Sequence, residues 1–456
     1  MMKTPALVDE NRTAGEAGWH LSRYNLMTVI PGENKAVVAN LFRAVCAVYG
    51  PEELYLLSEA ENLPEDHPIL DLFRKRGLIV DFDEREALAD MGQKLRNASD
   101  QVTLTLCTTM KCNFDCPYCF ENHSGGDMSK ETQDDVAALA DRMLRFFGAK
   151  KLHIIWFGGE PLMNAEVIWE LTPRLRGLAE RCGAAYSAEI FTNGSLLTQE
   201  TVDRLKDCGV VRAVIAIDGV GAAHDRTRHF RGGAGSFACI TRNLRTLRIP
   251  FLVSIRHLQT GENGDQLAPM EAFVTQLRKE SGNSLFFAPD TCGWNHATDD
   301  RKGDVTILKD DGGAAVGIRR DTYRFIPARG GYCGAATSLA SVSVDAYGEL
   351  YKCWPEMDNR DGRSYGNARS WDPAAPIETA SRPEQLTRYL NTAIPNGDAE
   401  CWDCVWLPYC VGGCPYKRLN NEKECLPYKN CPDRFLLSLY ERMKREGEAR
   451  ERLGRI

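Results

Sequence analysis

Residues 102–120 read VTLTLCTTMKCNFDCPYCF, and the reading of this stretch decides the rest of the chain. Its first five residues alternate apolar and threonine side chains, the pattern of a buried strand. Directly behind them come Cys112, Cys116 and Cys119, three thiols within eight residues. Three thiolates on one loop can wrap a single iron–sulfur cluster, and a four-iron cubane held by three of them keeps one iron open. Zinc sites prefer paired Cys-x2-Cys knuckles that close a four-ligand tetrahedron. A lone three-cysteine loop behind a strand is a poor zinc site.

Outward from this loop, residues 100 to 320 alternate apolar strands with amphipathic helices. Strand candidates after 102–106 are KLHIIWF (151–157), SAEIFTN (187–193), VRAVIAID (211–218), FLVSI (251–255) and SLFFA (284–288). Between them QDDVAALADRMLRFF and QETVDRLKDCG carry helical periodicity. Such repetition predicts an α/β fold with a parallel sheet, open or closed into a partial barrel. Ligands then sit beyond the C-terminal ends of the strands.

The flanks read differently. Residues 1–98 hold no cysteine cluster: NLMTVIP is strand-like, ANLFRAVCAVYG helix-like, and HPILDLFRKRGLIVDFDE reads as helix, glycine turn and short strand. Together they predict a small α/β or winged-helix module. Residues 321–456 are rich in cysteine and loop, with a hairpin at SVSVDAYGELYKC and a closing helix at FLLSLYERMKREGEARERLGRI. A segment with so little apolar core needs a staple, and metal supplies one.

A length of 456 residues suits two or three domains. Apolar residues at 43% and charged residues at 26% are ordinary globular usage, and a net charge of −7 calls for neither nucleic acid nor an anionic membrane as partner. No stretch approaches the ~20 apolar residues of a membrane span. The opening MMKTPALVDENRTAGE lacks the apolar core of a signal peptide, so the expectation is a cytoplasmic protein. In a reducing compartment, clustered thiols among the 17 cysteines are metal ligands rather than disulfides. The scattered Cys46, Cys107, Cys182, Cys208 and Cys239 read as small apolar residues.

The spacing Cys112-x3-Cys116-x2-Cys119, with Tyr118 before the third cysteine, resembles the signature of radical S-adenosylmethionine (SAM) enzymes. That resemblance implies a partial (β/α)6 barrel, TIM-like, over residues 99–320. It also implies a [4Fe–4S] cluster whose open iron takes SAM, and a 5′-deoxyadenosyl radical that removes a hydrogen from an unactivated C–H bond. Phe157-Gly158-Gly159-Glu160-Pro161 ends the second strand, where the family holds the amino group of SAM. Glycines let a ligand approach the backbone, and a carboxylate pairs with an ammonium. By the same resemblance Tyr118, Asn193 (in Thr192-Asn193-Gly194), Asp218 and Arg256 border SAM. Asp218 opens a run through Gly219, His224, Asp225 and Arg228, with Ala216 where the family often has serine. Read without the family, these are strand-end caps or ion pairs.

Further on, Cys333-x14-Gly348-x4-Cys353, then Cys401-x2-Cys404-x5-Cys410-x3-Cys414, then Cys425 and Cys431, resemble the SPASM extension, which binds two auxiliary [4Fe–4S] clusters. The family's interleaved ligation gives Cys333, Cys353 and Cys414 to an inner cluster. It gives Cys401, Cys404, Cys410 and a late cysteine to an outer one, with Cys431 matching the family's gap better than Cys425. Relatives carry one more cysteine shortly before the position of Cys333, and DTYRFIPARGGY has none. Either Cys292 or Cys425 completes the inner set, or one iron stays open for a substrate thiolate. Thiolate tetrads also suit zinc.

The resemblance therefore implies an oxidoreductase of the peptide-maturase kind. It would act on a ribosomally made precursor peptide, form an oxidative thioether or carbon–carbon cross-link, and be fed by an external flavodoxin- or ferredoxin-type donor. The alternative within the family is an anaerobic sulfatase maturase. Such enzymes carry aspartate where this chain has Trp354, and begin almost directly at the barrel. A different class, a non-catalytic iron–sulfur electron carrier or a zinc-binding protein, leaves the Gly-Gly-Glu-Pro turn without purpose. A leader peptide would add to a sheet edge in residues 1–98. No residue is assigned as catalytic base.

Overall fold

The computed structural model describes residues 18–96, 100–121, 123, 125–258, 263–290, 333, 338–357, 362–392, 398–423 and 425–453. They fall into two compact units. The first takes the described residues within Met1–Leu95, Gly303–Cys333 and Asn391–Ile456, the second those within Arg96–Lys302 and Gly334–Leu390.

In the first unit, β1 (His20–Leu21) is followed by a meander of β2 (Asn25–Val29), β3 (Ala36–Asn40) and β4 (Val45–Tyr49). Then come α1 (Pro51–Ser58), α2 (Pro68–Arg76), β5 (Ile79–Val80), which pairs with β1, and α3 (Glu84–Arg96). The stretch ANLFRAVCAVYG, expected to be helical, is instead the turn and second arm of a hairpin. Ala44 takes a left-handed φ of 58°, and Val38 and Ala39 pair with Ala47 and Cys46. Its apolar spacing fits a helix, but valines pack well on a pleated surface, and a partner strand overrides a weak local preference. The expected helix, glycine turn and strand at 68–80 is present, with Gly77 left-handed at φ 71°.

In the second unit, six parallel strands alternate with helices. They are β6 (Gln101–Thr109), α4 (Lys130–Phe147), β7 (Lys151–Gly158), α5 (Glu166–Arg181), β8 (Ala185–Thr192) and α6 (Gln199–Asp207). After these come β9 (Val210–Ala216), α7 (Ala222–Asp225), α8 (Phe237–Thr246), β10 (Leu252–Leu258), α9 (Leu267–Ser281) and β11 (Leu285–Asp290). The six strands neighbour one another in chain order. Beyond β6 the sheet continues through β12 (Ser341–Val344), parallel to β6, then antiparallel β13 (Glu349–Tyr351) and β14 (Gly366–Asn367). Among the described strands, β11 stands at one edge of this sheet and β14 at the other. Helix α10 (Pro383–Leu390) closes this unit.

The rest of the first unit comprises α11 (Ala399–Trp402), α12 (Leu407–Cys410), α13 (Pro415–Leu419) and the long α14 (Pro432–Leu453). These residues do not form a module apart from the N-terminal sheet. Tyr24, Val37, Ala39 and Leu41 share one core with Cys401, Trp406, Leu407, Phe435 and Leu436. No helix among the described residues is long and apolar enough to cross a membrane.

Candidate active site

The cysteine loop leaves the end of β6, as expected, and borders a cavity of about 180 Å³, open to solvent, at the C-terminal ends of the parallel strands. Cys112, Cys116 and Cys119 all line it, with Gly158 at the end of β7, Gly159 just after it, Asn193 after β8, Arg228 after α7 and Arg256 on β10. Burial pushes the Cys112 and Cys119 thiols up to about 12 and raises that of Cys116, where Arg228 works against the burial. Three thiols gathered on one short loop become thiolates together most readily with a cation to compensate them, which is what a metal cluster provides. The donor set fits an iron–sulfur cluster.

The Gly158-Gly159 turn is tight for a reason other than ligand access. Gly158 has φ 131°, and a Cβ there would lie 2.2 Å from the Thr109 carbonyl oxygen. At Gly159 a Cβ would lie 2.4 Å from the Lys111 carbonyl oxygen. The Gly159 N–H donates to that Thr109 oxygen at 3.1 Å and the Glu160 N–H to Lys111 O at 2.8 Å. The glycines therefore let the end of β7 press on the strand that feeds the cysteine loop.

Glu160 is fully buried behind this turn. Its Oε1 accepts from the Thr192 hydroxyl at 2.7 Å and the Leu162 N–H at 3.1 Å, and its Oε2 from the Asn193 N–H at 2.7 Å. Burial raises its carboxyl to about 7 against the pull of these donors. Pro161 follows, buried, with its carbonyl accepting from the Thr108 hydroxyl at 2.9 Å. Asn193 Nδ2 donates to Asn113 Oδ1 inside the cysteine loop at 2.7 Å, so the third strand end also braces that loop.

Asp218 stands behind the cavity wall, with its carboxylate already engaged. The Arg228 Nε donates to Oδ2 at 2.7 Å, the Tyr118 hydroxyl donates to the same oxygen, and the Leu258 N–H donates to Oδ1 at 3.0 Å. Burial alone would push its carboxyl up, but these partners outweigh it and hold the group below the usual carboxylate range. The Arg228 guanidinium lies 5.3 Å from the Tyr118 ring centroid. His224 fixes this assembly from below: Nδ1 accepts the Asp218 N–H at 3.2 Å, and Nε2 lies 2.9 Å from the Ser236 hydroxyl. That hydroxyl in turn donates to Arg228 O at 2.6 Å. Burial, aided by Arg228, lowers the imidazole to about 4, so it is neutral.

Several lining residues carried no sequence signal of their own. Glu121 and His123 follow the third cysteine, line the cavity and lie 3.7 Å apart, with His123 at a left-handed φ of 54°. Phe157 and Phe191 form an apolar wall, and Trp354 packs on both, with ring centroids 4.6 Å and 4.8 Å away.

The C-terminal cysteines divide between the units. Cys353 lies in the second, just before Trp354, and Cys333 and Cys414 in the first. In the first unit Cys401, Cys404, Cys410 and Cys425 line a separate small cavity of about 20 Å³. Cys431, favoured by its gap, is not among that cavity's lining residues; it immediately precedes α14. Among the described residues no three His, Cys, Asp or Glu side chains are arranged to hold a single metal ion. Cys292 lies outside the described residues.

The family described as the Radical SAM superfamily matches residues 106–273, the span that carries the cavity. The chain is 24% identical over 269 residues to the sporulation killing factor maturation protein SkfB of Bacillus subtilis, covering 55% of this chain and 61% of that protein. It is 31% identical over 144 residues to an Fe-coproporphyrin III synthase of Methanosarcina barkeri, covering 30% of this chain and 31% of the relative. The chain thus spans from about a third to three-fifths of the length of these curated relatives. The solved structure of Streptococcus suis SuiB bound to precursor peptide SuiA aligns over 89% of this chain and 97% of its own at 14% identity and a TM-score of 0.43.

Proposed function

We propose, on the match of residues 106–273 to the Radical SAM superfamily, a peptide maturase that installs an oxidative cross-link, a thioether or carbon–carbon bond, in a ribosomally made precursor. The observation that carries the reading is the convergence of three thiols, a glycine turn backed by a carboxylate, and two arginines on one cavity. A cluster held there would, with SAM, provide the radical chemistry that removes a hydrogen from the substrate. The chain's own residues bind, orient and shield. Cys112, Cys116 and Cys119 would hold the cluster. Glu160, behind the strand-end turn, would pair with an ammonium, and Arg256, on the cavity wall, would face a carboxylate, while Arg228 is engaged by Asp218. Phe157 and Phe191 keep water from the space where a radical must not meet other hydrogen donors.

The peptide substrate is supported by the kinship with SkfB, a maturation protein by name, and by the N-terminal sheet. Its order is β2-β3-β4, so among the described strands β4 pairs with β3 alone and has a second edge for an added peptide strand. The cysteines at 401–431 and 333–353 are read as ligands of two auxiliary clusters, which would take an electron from the product radical. A flavodoxin- or ferredoxin-type protein would supply the first electron. Sulfatase activation is the poorer fit, since Trp354 is an aromatic wedge with no proton acceptor where those enzymes carry aspartate.

The test is anaerobic incubation of the reconstituted full chain with SAM, dithionite and the short peptide encoded beside its gene, followed by mass spectrometry. A peptide lighter by about two hydrogens, with 5′-deoxyadenosine released, is the expected result. Release of 5′-deoxyadenosine with an unchanged peptide would reject this peptide as substrate of an oxidative maturase. No SAM cleavage at full iron load would sink the enzyme reading itself.

A further inference from the structure

The segment between α7 and α8 is clasped to the cysteine loop. Phe230 and Phe114 form an isolated antiparallel bridge, in which the Arg231 N–H donates to Asn113 O and the Asp115 N–H to His229 O, each at 3.0 Å. Their rings meet edge to face with centroids 5.0 Å apart. The Arg231 Nε donates to Cys112 O at 2.8 Å, so the first cysteine is held as well. On the far side the segment is closed by Asp225, whose Oδ1 accepts the Ser236 and Phe237 N–H groups, each at 2.8 Å.

This clasp brings Arg228 up beside the second cysteine and holds it there. Its Nε donates to Asp218 Oδ2 at 2.7 Å, and its backbone carbonyl accepts the Ser236 hydroxyl at 2.6 Å. Its guanidinium lies 5.3 Å from the ring centroid of Tyr118, on the same loop as Cys116. The same side chain hydrogen-bonds the Cys116 sulfur, and its charge acts on that thiol more strongly than the Asp218 charge does. With side chains 17% and 1% exposed, the Arg228–Asp218 pair is little screened by water or salt.

We infer that Arg228 is a positioning residue that sets the reduction potential of the cluster held by Cys112, Cys116 and Cys119, acting through the Cys116 sulfur and opposed by Asp218. This rests on the reading above that those three thiols hold a cluster. A [4Fe–4S]2+ cluster that takes one electron from an external reductant becomes [4Fe–4S]+, and the added negative charge is shared with the cysteine sulfurs. A hydrogen bond or a cation at a sulfur stabilises that reduced form. The guanidinium therefore favours the reduced cluster, and the carboxylate behind it favours the oxidised one. Removing either partner shifts the balance, and the two removals shift it in opposite directions. A scaffold role for the pair has no such sign.

The experiment is an EPR-monitored redox titration of full-length wild type, Arg228→Gln, Arg228→Lys and Asp218→Asn, reconstituted anaerobically, without SAM or peptide. The relevant signal is identified by its loss in a variant carrying Cys112→Ala, Cys116→Ala and Cys119→Ala, which should hold about four irons fewer. At the wild-type midpoint, the ratio of reduced to oxidised cluster should fall about tenfold in Arg228→Gln and rise several-fold in Asp218→Asn. Arg228→Lys, which keeps the cation and loses the planar fork, should fall between wild type and Arg228→Gln. At wild-type iron content, shifts of the same sign in Arg228→Gln and Asp218→Asn, or no shift in either, would overturn the proposal. Where Arg228→Gln loses iron, Asp218→Asn decides alone, and an unchanged potential there overturns it. A triple cysteine variant with full iron and an unaltered spectrum would instead overturn the reading of those thiols as ligands.

Discussion

Glu160 accepts the backbone N–H of Asn193 at 2.7 Å, which ties the end of the second barrel strand to the end of the third beneath the cysteine loop. The carboxylate braces the strand ends and, in the proposed function, would also present a negative charge to the ammonium of SAM. Glu160→Gln separates them. The amide keeps one accepting oxygen but turns an NH2 toward a donor, which costs about 1–3 kcal/mol. It also removes the anion, so SAM affinity measured by equilibrium dialysis should fall about tenfold or more. Unchanged affinity with lowered stability would assign Glu160 to the scaffold alone.

Gly158 and Gly148 are both left-handed or beyond, yet they differ in surroundings. An added methyl at Gly158 meets the Thr109 carbonyl at 2.2 Å, whereas nothing lies within 4 Å of one at Gly148, the C-cap of α4. Gly158→Ala should cost more than about 3 kcal/mol and spoil the cysteine loop, and Gly148→Ala about 1 kcal/mol. Urea unfolding of the two variants with iron content as second readout checks the contrast. Equal losses would show that backbone conformation, not the close approach, matters at position 158.

Much of the second unit was legible because its information is local. The strands at 102–106, 151–157 and 187–193 announce themselves by apolar runs, and the cysteine loop by its own spacing, so the cavity's place at the strand ends followed. What was hidden depends on partners far away in sequence. Residues 39–50 have helical spacing and become a hairpin because β3 offers a neighbour. The grip of Arg23 and Arg85 on Asp403 has no sequence signal at all, so the two flanks of the barrel looked separate. Gap counting favoured Cys431, but the salt bridges of Lys423 and Lys429 to Glu400 bring Cys425 to the cavity. Glycines 158 and 159 stand out in the sequence, but their close approach to the carbonyls of Thr109 and Lys111 carries no sequence signal.

Asp345, at the turn between β12 and β13, is buried, and burial raises its carboxyl to about 7. Its Oδ1 accepts the Tyr347 N–H at 2.8 Å and the Glu349 N–H at 3.0 Å, and its Oδ2 accepts the Tyr351 hydroxyl at 3.1 Å. A carboxyl with a raised folded pKa binds its proton more tightly folded than unfolded. Its contribution is therefore complete below about 4 and lost as pH rises through about 7. Asp345→Asn preserves the accepting oxygen and removes the titration. The stability difference between wild type and variant should move against the wild type by up to about 4 kcal/mol from pH 4 to 8. Parallel stability curves for the two proteins would contradict this.

Trp354 joins two parts of the second unit: its ring packs on Phe157 and Phe191, and its Nε1 donates to the Thr105 hydroxyl at 3.1 Å. Both phenylalanines face the cavity, so the tryptophan sets how firmly that apolar wall stands. Trp354→Phe keeps the stacking and loses the hydrogen bond, at about 1 kcal/mol. Trp354→Ala removes the wedge, at about 3 kcal/mol, and leaves the wall free to shift. In a peptide maturase the consequence is uncoupling, because a slack wall admits other hydrogen donors. The ratio of 5′-deoxyadenosine to modified peptide should rise several-fold in Trp354→Ala and stay near the wild-type value in Trp354→Phe. A ratio unchanged in Trp354→Ala would mean that the wall is held by β7 and β8 alone, with the tryptophan serving stability and not the chemistry.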